Sequence, residues 1–292
     1  MTLTSSRATC GDLGIRPTRR QIAAARSVTE WYMRSYYRTP DDVGVTEMFC
    51  RKDRVGHFAI DRSALVTGKP EALFGLLVTM TMFQRRSDAQ IMRVLRGIER
   101  DDASEMTDAR RLLVLADDGC KHAQSLDTLL DLCDLGKCPE TKRGICGRHP
   151  KFAYHLKRHT ELLKRYGHFG KVPTSAALTL RAHGVTDLSE LQARIWRLYS
   201  DPHARAVALE EALSLSWRIS EKIAAMYLSA VTNRDLSGDM APWADGVDTD
   251  HFVVIDSNVD LFLRRHPKTI ESGEVLGRRI SMAGIPARAG RH

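Results

Sequence analysis

The stretch that decides the fold is WRISEKIAA, residues 217–225, which forms a very short connection between two helical patterns. Before it, apolar residues recur at helical spacing over 204–215, and after it they recur over 220–231. The pattern predicts two helices joined by a tight turn.

Helical patterns continue on both sides of this turn, and strand signals are scarce. The other predicted helices are 17–38, 71–83, 88–98, 104–115, 123–131, 152–166, 175–183, 188–199 and 257–265. Residues 41–68 are interpreted as loops or a short hairpin around 57–60. Residues 233–251 are interpreted as a polar loop whose last part, 245–251, is a solvated acidic turn. The predicted fold class is all-α.

Composition and charge narrow the classes of protein to consider. The 292 residues are 43% hydrophobic and 27% charged, which is typical of one large globular domain or two smaller ones. The 44 Lys and Arg against 36 Asp and Glu give a net charge of +8, which favours a polyanionic partner such as nucleic acid. Neither a long apolar stretch nor a signal-peptide pattern occurs, so we expect a cytoplasmic, nucleoid-associated protein without a membrane span.

Several catalytic motifs are missing from the sequence. It contains no phosphate-binding G-x-x-x-x-G-K-[ST], no dinucleotide-binding G-x-G-x-x-G after a strand, no H-E-x-x-H and no G-x-S-x-G. The sequence therefore lacks the motifs that usually indicate a kinase, a nicotinamide oxidoreductase, a zinc protease or an α/β-hydrolase. No nucleotide cofactor is expected.

Two more segments carry a resemblance when they are taken together with the turn. LVTMTMFQRRS, residues 77–87, lies upstream, and VVIDSNV, residues 253–259, lies downstream. In this order, on a helical chain, the three segments resemble the helix-hairpin-helix superfamily of DNA glycosylases over about residues 71–266. The chain looks closer to the archaeal 8-oxoguanine DNA glycosylase branch, which combines a glycine-poor hairpin with a long gap, here thirty-four positions from Lys222 to Asp256. Arg218 and Ser220 stand where the hairpin usually has glycines.

The resemblance implies two catalytic residues. Asp256 would be the carboxylate that stabilises positive charge at C1′ of the sugar, although an aspartate there is also a favourable helix N-cap. Lys222 would be the Schiff-base nucleophile that adds lyase activity, and the alternative for it is a phosphate-binding lysine on a helix.

The resemblance also implies contacts with DNA. Gln84 would enter the duplex in place of an extruded base, unless it merely belongs to the loop before a helix. Arg85 and Arg86 would hold flanking phosphates, and the turn with Arg218 and Ser220 would contact the DNA backbone.

A separate cysteine cluster indicates a metal site. Cys133, Cys138, Cys146 and His149 lie within seventeen positions and could hold a structural Zn²⁺. An Fe–S cluster would need Cys120 as its fourth thiolate, and plain thiols in a basic loop are the third interpretation.

Together these features predict three ranges: an N-terminal helical segment, 1–70, belonging to a second subdomain; a glycosylase-like core, 71–266, with a cysteine-rich insert at 120–149; and a C-terminal segment, 267–292, that packs on the second subdomain or forms a tail. A cleft between two helical subdomains would take DNA and the flipped base. The predicted function is a monomeric DNA glycosylase with AP-lyase activity on double-stranded DNA. An oxidised purine is the first substrate, and a hypermodified base such as those of phage DNA, with a role in antiviral defence, is the second. A non-enzymatic DNA-binding module with a structural metal and an RNA-binding protein are the alternatives.

Overall fold

The computed structural model describes residues 46–84, 87–117, 124–131 and 171–252. All of them fall in one compact unit, Asp42–Val254. Within these ranges the chain forms helices and no strand, which confirms the all-α prediction for this part of the chain. The helices predicted over 17–38, 152–166 and 257–265 lie outside the described residues.

The α-helices of the described ranges are numbered in chain order. They are α1 (Lys52–Val55), α2 (Arg62–Val66), α3 (Pro70–Thr81), α4 (Asp88–Arg96), α5 (Arg100–Met106), α6 (Ala109–Asp117), α7 (Leu126–Asp131), α8 (Lys171–Ala182), α9 (Leu188–Leu198), α10 (Pro202–Ser214), α11 (Glu221–Thr232) and α12 (Arg234–Ser237). Short 3₁₀ helices occupy Glu47–Cys50, Gly56–Phe58, Gly238–Met240 and Thr249–Phe252. None of the described helices is both long enough and apolar enough to cross a membrane.

Helix α3 is the centre of the unit. Pro70 begins it, at the first-turn position where a missing N–H costs nothing. Every residue from Ala72 to Thr81 is buried, so the helix is covered on all sides rather than along one stripe. It packs against α2, α8, α9 and α11, and the helices that carry the candidate site therefore rest on this core.

Aspartate caps fix the beginnings of the two helices that precede the turn. The Asp187 carboxylate accepts a hydrogen bond from the Glu190 amide at 2.9 Å at the start of α9. The Asp201 carboxylate accepts one from the Ala204 amide at 2.7 Å at the start of α10. Such caps satisfy amides that have no partner within the helix, which is why α9 and α10 begin where they do.

The helix predicted over 104–115 is wrong in its continuity. The structure has two helices there, α5 ending at Met106 and α6 beginning at Ala109. The Asp108 carboxylate accepts a hydrogen bond from the Arg111 amide at 3.0 Å, so Asp108 starts a new helix. The apolar period runs across this break, which concealed it.

The hairpin predicted around 57–60 is also wrong. Residues Gly56–Phe58 form a 3₁₀ helix, and Phe49, Val55 and Phe58 are buried in the same core as α3. Residues 46–68 thus pack with the helices that follow them. The predicted domain boundaries at 70 and 266 stay predictions.

The segment 233–251 is more than a polar loop. It contains α12 and two 3₁₀ helices, and Trp243 within it is only 6% exposed. The Trp243 amide donates to the Val231 carbonyl at 2.9 Å, and its ring meets Tyr227 edge-on at 6.2 Å between centroids. Burial raises the pKa of the Tyr227 phenol well above its usual value.

Candidate functional site

The turn between α10 and α11 is tight although it contains no glycine. The Ile219 amide donates to the Ser216 carbonyl at 3.1 Å, which closes a four-residue turn. Arg218, the third residue, has a φ of 65° and is the only non-glycine residue of the described ranges with a positive φ. That is the position which type II turns reserve for glycine. Arg218 therefore supplies the left-handed conformation that glycine normally provides.

The second glycine position of the hairpin pattern behaves differently. Ser220 is the N-cap of α11 and has an extended backbone, with φ −75° and ψ 167°. Any L-residue adopts this conformation, so the absence of glycine causes no backbone strain there. The strain expected from losing both glycines is thus concentrated at Arg218.

Helix α8 holds one side of the turn. The Ser216 hydroxyl donates to the Thr179 hydroxyl oxygen at 2.8 Å in a buried contact. The Trp217 amide donates to the Ser175 hydroxyl at 2.9 Å. The Ile219 side chain is buried as well, at 1% exposure. Three of the four residues of the turn, Ser216, Trp217 and Ile219, are therefore held by contacts with the rest of the unit.

Gln84 holds the other side. It lies just after the end of α3, and its side-chain amide nitrogen donates to the Thr81 carbonyl at 2.6 Å and to the Arg218 carbonyl at 3.1 Å. Gln84 and Arg218 are 134 positions apart in the sequence. The structure therefore brings together two of the three segments singled out in the sequence.

The polar groups at the start of α11 face solvent. Ser220 and Lys222 are exposed, whereas Arg218 and Trp217 are half-buried. The Arg218 guanidinium lies over the Trp217 ring, 5.0 Å from its centroid. A helix N-terminus with a serine hydroxyl and two cationic side chains can hold an anionic phosphate without reading a base, with the Glu221 carboxylate of the same turn opposing it.

The other predicted site residues lie outside the described residues. These are Asp256, Arg85, Arg86, Cys133, Cys138, Cys146 and His149. In the part of the chain that the structure describes, no group of three or more His, Cys, Asp or Glu side chains could hold a metal ion.

The last described residues are anchored to the two helices that flank the turn. The Ser229 hydroxyl of α11 donates to the Phe252 carbonyl at 2.8 Å, and Phe252 is fully buried. The His251 Nε2 lies 2.9 Å from the Glu210 carboxylate of α10, with side-chain exposures of 4% and 11%. The described chain thus ends against the helical pair that carries Lys222.

Sequence reasoning missed a cluster of four titratable side chains around this anchor. His203 Nδ1 lies 2.8 Å from the Asp248 carboxylate, and the His203 and His251 rings meet edge-on at 5.2 Å between centroids. The interpretation of 245–251 as a solvated acidic turn is therefore wrong at Asp248 and His251, whereas Asp245 and Asp250 are exposed. One signal was available: His203 and Glu210 are seven residues apart and share one face of a helix.

Comparisons of the chain with models of protein families, with curated proteins and with solved structures give no match. Its function is therefore inferred from the residues and from the geometry of this turn.

Proposed function

We propose that the chain is a DNA glycosylase that releases a modified base from double-stranded DNA and then cleaves the abasic site through Lys222. The observation that carries the proposal is the hydrogen bond between the Gln84 side chain and the Arg218 carbonyl. The resemblance to helix-hairpin-helix glycosylases rests on the glutamine segment, the hairpin and the aspartate segment, and the first two of these are in contact in this chain.

The turn supplies the means of holding duplex DNA. The first amides of α11 have no carbonyl partner four residues earlier within the helix, and they lie beside Ser220 and Arg218. A phosphate bound there would be held by N–H donors and by a guanidinium. The net charge of +8 on the whole chain also favours binding to DNA, which is a polyanion.

Lys222, in the first turn of α11, would be the nucleophile. Its unprotonated amine would form a bond to C1′ of the sugar while the C1′–N bond breaks, and the base would leave with the electron pair and take up a proton. The C1′–O4′ bond then breaks, O4′ takes the electron pair and a proton, and the opened sugar is a Schiff base that permits β-elimination of the 3′ phosphate. The amine is exposed in the free protein, so the bound DNA itself would have to exclude water from it.

Asp256 would stabilise the positive charge that develops on the sugar as the base departs. Phe252, which is anchored to α11 through Ser229, precedes Asp256 by four residues. The proposal requires Asp256 and Lys222 to act on the same sugar.

An oxidised purine is the first proposed substrate, because the branch that the chain most resembles acts on oxidised guanine. A hypermodified base of the kind found in phage DNA is the second, which would assign the enzyme to defence rather than to repair. Zinc at Cys133, Cys138, Cys146 and His149 would have a structural role in either case.

The test is a mass-spectrometric search for free bases released from a panel of duplexes that carry different modified bases. Asp256→Asn should reduce release by orders of magnitude and leave the affinity for the duplex largely intact. Asp250→Asn is the matched control, since Asp250 is exposed and bears no proposed role. A wild-type protein that binds every duplex and releases no base would favour the non-enzymatic DNA-binding module. Near-normal turnover by Asp256→Asn would remove Asp256 from the mechanism.

A further inference from the structure

The Gln84 carboxamide is fully engaged as a donor in the free protein. A carboxamide nitrogen carries two hydrogens, and here it has two carbonyl acceptors, Thr81 at the end of α3 and Arg218 in the turn. To enter a duplex, Gln84 would have to give up both hydrogen bonds. The geometry therefore suits a fixed side chain better than one that moves into DNA.

Arg218 is the residue of the turn that most needs such a contact. Its left-handed backbone is unfavourable for a residue with a side chain, and it persists only where the surroundings hold it. Thr179 and Ser175 hold the two preceding residues, Ser216 and Trp217. Gln84 is bonded to Arg218 itself, on the carbonyl whose direction the left-handed conformation sets.

We infer that Gln84 is a positioning residue that acts through Arg218. By holding the turn in its left-handed form, it sets the direction in which α11 begins, and with it the placement of Ser220 and Lys222 against DNA. The effect on DNA binding rests on the proposed function. The effect on the conformation of the turn rests on the hydrogen bonds alone.

A double-mutant cycle between Gln84→Ala and Arg218→Gly tests this role. Glycine adopts the left-handed conformation without support, so a turn with glycine at 218 does not depend on the hydrogen bond from Gln84. Affinity is measured for a short duplex that contains a stable abasic-site analogue, at a temperature well below every unfolding midpoint. Under these conditions a purely stabilising contact leaves affinity unchanged, whereas a positioning contact does not.

In the Arg218 background, Gln84→Ala should weaken binding about 3- to 10-fold, which is what one hydrogen bond contributes. In the Arg218→Gly background, Gln84→Ala should weaken binding less than about 2-fold relative to the Arg218→Gly variant itself. Affinity lost by removing the guanidinium is common to both proteins and cancels in this comparison. Gln90→Ala is the matched control, because Gln90 is exposed on α4. An equal loss in both backgrounds would overturn the inference and indicate that Gln84 contacts DNA directly.

The thermal midpoints of the same four proteins give a second, independent cycle. If the wild-type protein binds no duplex, the proposed function fails, and these midpoints still decide whether Gln84 holds the turn through Arg218. The fall in the thermal midpoint caused by Gln84→Ala should be smaller when residue 218 is glycine. Strictly additive shifts of the midpoint would contradict a role of Gln84 in holding the turn. Should Gln84→Ala not fold, Gln84→Leu keeps the bulk of the side chain and removes both donors.

Discussion

Removing the Glu210 carboxylate should be among the most destabilising single changes in the described unit. Glu210 accepts the contact from His251 at 2.9 Å, and the two side chains are 11% and 4% exposed. Glu210→Ala leaves the imidazole buried without its partner, and breaking such a pair costs about 2–4 kcal/mol. For a unit of the size of Asp42–Val254, that loss corresponds to a fall of about 5–12 °C in the unfolding midpoint.

Differential scanning calorimetry of three variants measures this effect. Glu211→Ala, at the exposed neighbouring position of α10, is the matched control and should change the free energy of unfolding by less than about 0.5 kcal/mol. Glu210→Gln keeps a hydrogen-bonding group and should fall between the two. Equal shifts for Glu210→Ala and Glu211→Ala would refute the reasoning that burial makes the anchor costly to break.

The remaining predictions concern the lysine nucleophile, the cysteine cluster and two glycines. Borohydride added during turnover should trap a covalent adduct of DNA with Lys222, and an enzyme that releases bases without ever trapping would make this lysine a phosphate contact. Elemental analysis should find close to one zinc per chain, and Cys138→Ser should lower the stability of the protein more than its rate of base excision. Less than about a tenth of a zinc per chain, without iron, would contradict the metal site. Iron with visible absorbance would indicate an Fe–S cluster. Gly56 and Gly238 share nearly the same backbone, with φ 62° and ψ −131° against φ 59° and ψ −126°. A Cβ at Gly56 would lie 2.7 Å from the Arg96 Cα, whereas one at Gly238 meets nothing within 4 Å. Gly238→Ala should therefore cost only backbone strain of about 1–3 kcal/mol, and Gly56→Ala about 1–3 kcal/mol more; equal losses in urea unfolding would contradict the steric argument.

Long periodic helices were accessible from the sequence, whereas short packed elements were not. Helix α9 was expected at 188–199 and occurs at Leu188–Leu198, because period, cap and length agree. Residues 47–58 bury Phe49 and Phe58 in turns of three to four residues, too short to show a period. Trp243 is buried within the Asp-rich segment 233–251, whose polar neighbours hide a single large apolar residue in the sequence pattern.

For the candidate site, the sequence predicted the position of the turn but not its conformation. Arginine at a left-handed position contradicts its own preference, and only tertiary contacts explain it. The contact with Gln84 crosses most of the described chain, and no local pattern encodes it. The His203–Asp248 and His251–Glu210 pairs also join distant segments, and the sequence offered only the shared helix face of His203 and Glu210 as a signal.

The stacking of Arg218 on Trp217 places an intrinsic fluorophore inside the turn. The Trp217 indole is half-buried beneath a cation, as is that of Trp196 beneath Arg205 at 5.1 Å, while that of Trp243 is shielded in the core. A guanidinium drawn away to a phosphate would change the field at Trp217, and the signal of this ring is the difference between the wild-type protein and a variant that lacks it. Intrinsic fluorescence, with Trp217→Phe as the blank, can thus report the arrival of a ligand at the turn without any attached dye.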